Sequence, residues 1–317
     1  MSSRAKPSFS VVVPTFDRAH VLRRAVRSVL RQEHRDFELL IVDDGSTDGT
    51  AEVVAELDDP RIRFLRQEHR GVSAARNLGI SEAGGELVTF LDSDDEAAPG
   101  WLATFTGIFA DRDVGVAAVG ALVIRHADDG GELEREVLSP RRLGPLYGDR
   151  ELSYTAGTLA TRLDLLRSAG GYADPLRFAE NAEMAMRLVP ACLERGLEVV
   201  AVDRPLVTYH RNPAAWIDSR RAFESQRSGA EYILERHGDR MRALSPEGYA
   251  NYRGVAAVNA ARLGDTAAAR RHLVAAIRAD PRRWQSYVRL LLTLVPPLAV
   301  RYWTRHETAG AAPGGAP

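Results

Sequence analysis

The acidic run in FLDSDDEAAP, Phe90 to Pro99, is the part of this sequence best equipped for chemistry. The residues leading into it, ELVTFL, are apolar, partly β-branched and aromatic, and stop at a polar cluster, which predicts a buried strand. Asp92, Asp94, Asp95 and Glu96 follow at once. Two like charges about 4 Å apart repel by roughly 4 kcal/mol at an effective dielectric of about 20, so this crowding needs a cation or abundant water. Asp92 and Asp94 flank Ser93 in a tight turn and can face one divalent ion together, and hard oxygen ligands suit magnesium or manganese. Taken alone, the tripeptide reads more simply as a solvated acidic turn; its place in the chain changes that balance.

A second strand, FELLIVDD, Phe37 to Asp44, also closes on acids, and a carboxylate there can accept hydrogen bonds from a base or ribose. The following DGSTDG imitates the opening of a calcium loop, but the twelfth place, which needs a bidentate glutamate, is Ala55. A turn with a helix cap at Asp48 or Thr50 is expected instead. The turn after the first strand, VVVPTFDR, has no G-x-G-x-x-G, and no Walker-type loop occurs, so oxidoreductase and P-loop readings lose their main support.

Alternating elements position these acids. Phe9 to Val13 predicts a strand, and VLRRAVRSVL a helix with Val21, Leu22, Ala25, Val26, Val29 and Leu30 on one face. FELLIVDD, then TAEVVAEL as helix, RIRFLR as strand, GVSAARNLGISEA as helix and ELVTFL as strand complete a β-α-β-α-β-α-β order. That order predicts an α/β fold with a predominantly parallel sheet and ligands at the carboxyl ends of its strands. Val114 to Arg125 predicts a further strand and HADDGGELERE a hairpin or loop, where the sheet becomes mixed. A helix from about Ala179 to Arg195, kinked or broken at Pro190, and two strands, LEVVAV and LVTYH, complete a main domain over residues 9–213, behind a tail of residues 1–8. Residues 214–306 predict a helical extension, with one tetratricopeptide-like hairpin at about 249–283, and residues 307–317 a flexible tail. A single unit predicts a helical hairpin packed on the main domain rather than a solenoid.

Four stretches, FSVVVPTFDR, FELLIVDDGSTDGT, RGVSAARNLG and FLDSDD, resemble in order the motifs of the family 2 glycosyltransferases, inverting enzymes of the GT-A fold, over roughly Phe9 to Pro213. The resemblance implies a nucleoside-diphosphate sugar donor and a glycan, lipid-linked or small-molecule acceptor. Its commonest setting is cell-surface polysaccharide or lipid-linked glycan assembly, with tailoring of a secondary metabolite or a non-catalytic scaffold as alternatives. It further implies that Pro14, Thr15 and Phe16 line the nucleotide pocket, Asp44 reads the base, Arg76 lies near the nucleotide, and Asp92, beside Ser93, approaches the ribose or a hydrated metal. Asp94 would ligate Mg2+ or Mn2+ bridging the diphosphate. The family carries a Glu-Asp pair whose aspartate takes the acceptor proton; here Glu180 is followed by Asn181, which cannot act as that base. Glu180 is therefore the base candidate and Glu183 the alternative, although Glu183 stands four residues before Arg187 in ion-pair spacing. LVTYHRNP resembles the end of the catalytic region, with His210 a candidate for metal or diphosphate and Arg211 for phosphate.

Composition narrows the partners. A net charge of -1 gives no polybasic surface for nucleic acid, and 45% hydrophobic content is ample for a large core. The single cysteine, Cys192, fits a reducing compartment, and MSSRAKPSFSVVVP lacks the apolar core of a signal peptide, so a cytoplasmic location is expected. LLLTLVPPLAV is too short to span a bilayer and is interrupted by Pro296 and Pro297. Around it, Trp284, Tyr287, Leu290, Leu291, Leu294 and Val295 recur at near-helical spacing among Arg282, Arg283, Arg289, Arg301 and Arg305, with Tyr302 and Trp303 beyond. Such a stripe packs on the main domain or a second subunit, or alternatively makes a peripheral contact with the inner face of the cell membrane.

Overall fold

β1 (Phe9–Thr15) is buried along its whole length, as befits a central strand covered on both faces. It pairs in parallel with β2 (Phe37–Asp43) and β4 (Leu87–Phe90), and β2 pairs in parallel with β3 (Ile62–Arg66). The crossovers are α1 (Ala19–Leu30), α2 (Thr50–Ala55) and α3 (Val72–Glu82). α1 buries Leu22, Ala25, Val26 and Val29, the face its periodicity predicts. α3 instead approaches the sheet through small residues. A Cβ on its Gly79 would stand 2.4 Å from Val12 Cγ1, so glycine is what permits this approach.

The computed structural model describes residues 9–110, 113–126, 132–139, 156–211 and 220–294. The two tails, the centre of HADDGGELERE, and the double proline with Arg301, Tyr302, Trp303 and Arg305 lie outside them.

Past β4 the topology changes. β5 (Glu96–Ala97) and α4 (Trp101–Phe109) precede an antiparallel pair, β6 (Val114–His126) and β7 (Glu132–Leu138). β8 (Leu159–Arg162) is antiparallel to both β4 and β6. After α5 (Leu163–Ser168) and α6 (Glu180–Glu194), β9 (Glu198–Arg211) runs parallel to β6 and antiparallel to β5. The strand order β3-β2-β1-β4-β8-β6-β9-β5, with β7 on β6, is thus parallel in its first half and mixed from β8 onward, as the sequence predicts.

One expectation is corrected and one is narrowed, from a kink or a break to no break. LEVVAV and LVTYH form one strand, because β9 passes Asp203–Pro205 with register shifts against β6 rather than leaving the sheet; a bulge absorbs the polar interruption. α6 runs unbroken through Pro190. Met186, Leu188, Val189 and Cys192 around the proline are buried, and their packing offsets the roughly 3 kcal/mol that an interior proline costs.

The described residues fall into two units. The first comprises those up to 139, then 156–175 and 181–211, with a core that includes Val11, Val13, Ile41, Leu91, Trp101 and Phe105. The second comprises 176–180 and 220–294 and holds α7 (Arg220–Leu244), α8 (Pro246–Arg262), α9 (Thr266–Ala279) and α10 (Trp284–Leu292). Ser245 Oγ caps α8 at the Gly248 N–H and Asp265 caps α9 at the Ala268 N–H, while buried alanines, Ala260, Ala261, Ala268 and Ala269, line the seam between those helices. At α10, Trp284, Tyr287, Leu291 and Leu294 are exposed, and the buried positions are Ser286 and, just past the helix, Thr293. Among the described residues, no helix is long and apolar enough to cross a membrane.

Glu38, near the start of β2, ties the amino ends of this sheet together. Its Oε1 accepts from Ser10 Oγ at 2.7 Å and the Gly84 N–H at 2.6 Å, and its Oε2 from Arg63 at 2.7 Å. Burial opposes its charge, but the hydrogen bonds outweigh burial and hold the carboxyl below the usual glutamate range. A lowered folded pKa contributes stability that is present at neutral pH and is lost as pH falls through the folded value. Glu38→Gln is expected to lose about 1–2 kcal/mol at neutral pH, with the difference from the parent shrinking in acid. Urea denaturation across that pH range measures both.

Candidate functional site

Chain order reverses around β1, with β2 laid on one side and β4 on the other, and such a switch point opens a crevice at the carboxyl ends of the strands. The loops leaving β1, β2 and β4 carry most of the residues expected to do chemistry. Two of these loops clasp each other. Asp17, in the left-handed region at φ 49°, donates its N–H to Ser46 Oγ at 2.8 Å and accepts from the Thr47 N–H at 2.8 Å. Asp48 accepts from the Ala19 N–H at 2.9 Å and from the Thr50 N–H at 3.0 Å, so the calcium-like run is a clasp and a cap.

Asp44 is 3% exposed and its carboxylate is already engaged. Oδ1 accepts from the Arg70 N–H at 2.8 Å and Gln67 Nε2 at 2.6 Å; Oδ2 accepts from the Gly71 N–H at 2.7 Å and lies 2.9 Å from His69 Nδ1. It therefore organises the 67–71 loop. His69 in turn stacks on Phe16, which is 40% exposed, with ring centroids 4.1 Å apart and planes at 30°. The pair makes an aromatic platform where β1 ends, beyond the buried Pro14 and Thr15. Sequence reasoning reached Phe16 and missed His69, whose proximity depends on the loop that Asp44 holds.

On α3, Arg76 is 1% exposed, donates to Asp92 Oδ1 at 2.8 Å and lays its guanidinium 5.0 Å from the Tyr172 ring centroid. The Asp92 carbonyl accepts from the Asp95 N–H at 3.0 Å, which closes a tight turn around Ser93 and Asp94. Arg18 NH1 stands 3.3 Å from Asp94 Oδ2, and Arg24 donates to the Asp94 carbonyl at 2.6 Å. Despite these cations, burial first and then the charge of Asp92 push the Asp94 carboxyl above its usual range. Asp95, almost wholly buried and accepting from the His210 N–H at 3.3 Å, is pushed well up by burial and by Asp92 and Asp94. Burial and the charges of Asp95 and Asp92 raise the Tyr209 phenol likewise. The turn is short of positive charge.

That shortage tests whether a divalent ion fits. Among the described residues, no three His, Cys, Asp or Glu side chains converge into a metal cage. Magnesium-like ions keep several waters and take one or two carboxylates plus substrate phosphates, so a cage is not needed. Hard carboxylate oxygens with uncompensated charge fit Mg2+ or Mn2+. His210 is less available, because its Nε2 is 2.7 Å from Glu96 Oε1.

Around the start of α6 the carboxylates divide. Glu183 is fully buried with both oxygens held by Arg187, at 2.6 Å for the closest contact, and Arg187 also donates to the Gly171 carbonyl at 2.7 Å. It braces the connection into α6. Asn181 Oδ1 accepts from Tyr172 OH at 3.2 Å, so one tyrosine touches both Arg76 and Asn181. Glu180, half-buried, begins the helix after Ala179, a non-glycine residue at φ 58°.

Residues 10–167, about half of the chain, match the family model for glycosyl transferase family 2. The chain is 45% identical over 102 residues to a GalNAc(5)-diNAcBac-PP-undecaprenol beta-1,3-glucosyltransferase of Campylobacter jejuni, a match covering 31% of this chain and 33% of that protein. It is 47% identical over 87 residues to an uncharacterized glycosyltransferase of Rickettsia conorii, covering 27% of this chain and 14% of that one. The chain thus spans a third or less of the length of these relatives. In three dimensions it is similar to S. aureus TarS in complex with UDP-GlcNAc, with a TM-score of 0.61 at 21% identity over 93% of this chain and 90% of that one. This segment belongs to the family 2 glycosyltransferases and has the GT-A fold.

Removing Arg76 leaves Asp92 without its nearest cation. Arg76→Leu is expected to lower stability at neutral pH by about 2–3 kcal/mol, less than for a fully buried pair because the Asp92 side chain is 36% exposed. Guanidinium denaturation of the two proteins measures the difference.

Proposed function

We propose that this protein transfers a sugar from a nucleoside-diphosphate sugar to an acceptor hydroxyl, with inversion at the anomeric carbon. The observation that carries this reading is the charge-deficient Asp92–Asp95 turn at the end of β4, one strand away from the Phe16–His69 platform at the end of β1. Asp94, and Asp92 through water, would hold Mg2+ or Mn2+, which when bound neutralises the departing diphosphate. Phe16 and His69 stack on the base, and Asp44 presents the backbone of the 67–71 loop to the base edge rather than reaching it with a free oxygen. Arg76 holds Asp92 in place for the ribose, with Ser93 beside it.

Glu180 is the proposed base. It accepts the hydroxyl proton as the acceptor oxygen bonds to the anomeric carbon, while the bond from that carbon to the diphosphate oxygen breaks and its electron pair leaves with the diphosphate. Glu183 is engaged by Arg187, and Asn181 has no carboxylate. The left-handed Ala179 supports Glu180, since strain of about 1 kcal/mol or more tends to be kept where it aims a functional group. The Campylobacter relative is named for an undecaprenol-diphosphate-linked glycan, which favours a lipid-linked or cell-surface glycan as acceptor here, reached from the cytoplasmic face. TarS is described with UDP and UDP-GlcNAc, which makes UDP the first nucleotide to try. Asn181 favours one second reading, binding of a nucleotide sugar without transfer.

With manganese present, one donor from a panel of UDP-, GDP- and dTDP-sugars should release its diphosphate; binding without release from any donor would support the second reading. Asp94→Asn should abolish manganese-dependent binding of that diphosphate in calorimetry without lowering the melting temperature, and unchanged affinity removes the metal assignment. Glu180→Gln should retain donor binding and lose transfer by about 10² to 10⁴-fold. If transfer survives in Glu180→Gln and collapses in a folded Glu183→Gln, the base is Glu183.

A further inference from the structure

Tyr172, in the connection from α5 to α6, is held from several directions. Asn77 on α3 grips its backbone twice: Oδ1 accepts from the Tyr172 N–H at 2.8 Å, and Nδ2 donates to the Tyr172 carbonyl at 2.8 Å. Gly171, at φ 63°, permits that approach, since a Cβ there would stand 2.6 Å from Asn77 Oδ1. The ring meets Phe90 at the end of β4 edge to face, with centroids 5.3 Å apart and planes at 86°. At 4% exposure the side chain has little freedom to turn.

The ring and the hydroxyl serve different neighbours. The guanidinium of Arg76, the residue before Asn77, lies 5.0 Å from the ring centroid, within cation–π range, and donates to Asp92 Oδ1 at 2.8 Å. Arg76 is 1% exposed, so the π face stands where a surface cation would have water. The hydroxyl donates at 3.2 Å to Oδ1 of Asn181, the second residue of α6. Glu180 opens that helix one residue earlier, directly after Ala179 at φ 58°. A left-handed alanine persists where its surroundings over-determine the backbone, and the hydroxyl bond to Asn181 is one such restraint.

We infer that Tyr172 is a positioning residue for both halves of the reaction. Its ring fixes Arg76, and through it Asp92, on the donor side; its hydroxyl fixes the first turn of α6, which carries Glu180, on the acceptor side. The hydroxyl arm rests on the transfer reading given above, whereas the ring arm is read by binding alone.

Variants at two positions separate the arms, with calorimetry against UDP, GDP and dTDP in manganese, steady-state transfer, and melting as the fold control. Tyr172→Phe keeps the ring and loses the bond to Asn181: diphosphate affinity and donor KM should match the parent while kcat falls about fivefold. Asn181→Ala removes the other end of the same bond, so its kcat should fall by a similar factor, and the double variant should lose no more than either alone. Tyr172→Leu, and Tyr172→Met with a flexible side chain that fills more of the space, remove the ring and should also weaken diphosphate binding roughly tenfold. A tyrosine that merely filled space would lower the melting temperature without separating kcat from affinity. Parent-like kcat in Tyr172→Phe, additive losses in the double variant, or parent-like diphosphate affinity in whichever of Tyr172→Leu and Tyr172→Met folds overturns the inference while leaving the transfer reading in place. Diphosphate binding by the parent without transfer from any donor removes the transfer reading and the hydroxyl arm with it, and the ring arm then stands or falls on the affinity of the Leu and Met variants.

Discussion

Like charges held at a strand end are the constraint around which this protein is arranged. Asp92, Asp94 and Asp95 are brought together by a turn closed by a backbone hydrogen bond, and burial deprives Asp95 of water while the Asp92 and Asp94 side chains each stay 36% exposed. Arg76 from α3 and Arg18 and Arg24 from the start of α1 reach the same turn. Their positions depend on the parallel β2-β1-β4 pairing and on Gly79, which lets α3 lie close against β1. The cations reduce the repulsion, but burial first, and the neighbouring carboxylates after it, still push the carboxyls of Asp94 and Asp95 up. A site left in that state is suited to a positively charged ligand.

Elsewhere in the first unit, carboxylates serve as organisers of backbone. Glu38 gathers Ser10, Arg63 and the Gly84 N–H; Asp44 gathers the loop from Gln67 to Gly71; Asp48 and Asp17 join the loops after β1 and β2. Each replaces water around backbone N–H groups that the turns leave without strand or helix partners. The difference between these acids and the Asp92 turn is the number of donors that reach them. Asp44 has four, from Arg70, Gln67, Gly71 and His69, whereas the acids after β4 face one another.

The helices show two departures from simple amphipathic packing. α3 lies on the sheet through Ser73, Ala74, Ala75 and Gly79, trading apolar area for closeness, and this closeness carries Arg76 to Asp92. α10 buries Ser286 and packs Leu292 on the alanine seam while Trp284, Tyr287 and Leu291 are exposed, and Arg270 holds Thr293 just past its end. In both, hydrogen bonds and steric fit decide the orientation more than apolar area does.

Much of the first unit was legible in the sequence because its signals are local. Alternation of short apolar runs with 3.6-residue stripes specifies β1 through β4 and their helices, and the FLDSDD and VDDGS stretches mark the strand ends where a ligand is expected. Spacing also announced the ion pair of Glu183 with Arg187, since four residues is one helical turn. What tertiary structure decided were encounters between residues distant along the chain. His69 stacks on Phe16, Tyr172 lies over the guanidinium of Arg76, and Asp95 meets the backbone of His210, each pairing set by how the elements are ordered around the sheet. The continuity of β9 and of α6 past Pro190 likewise came from neighbours that compensate a locally unfavourable residue. α10 states the difference most plainly. Its periodicity determined that one face would be apolar, but which face is buried depended on Thr293 meeting Arg270, 23 residues away on another helix, and a one-dimensional pattern holds no information about that contact.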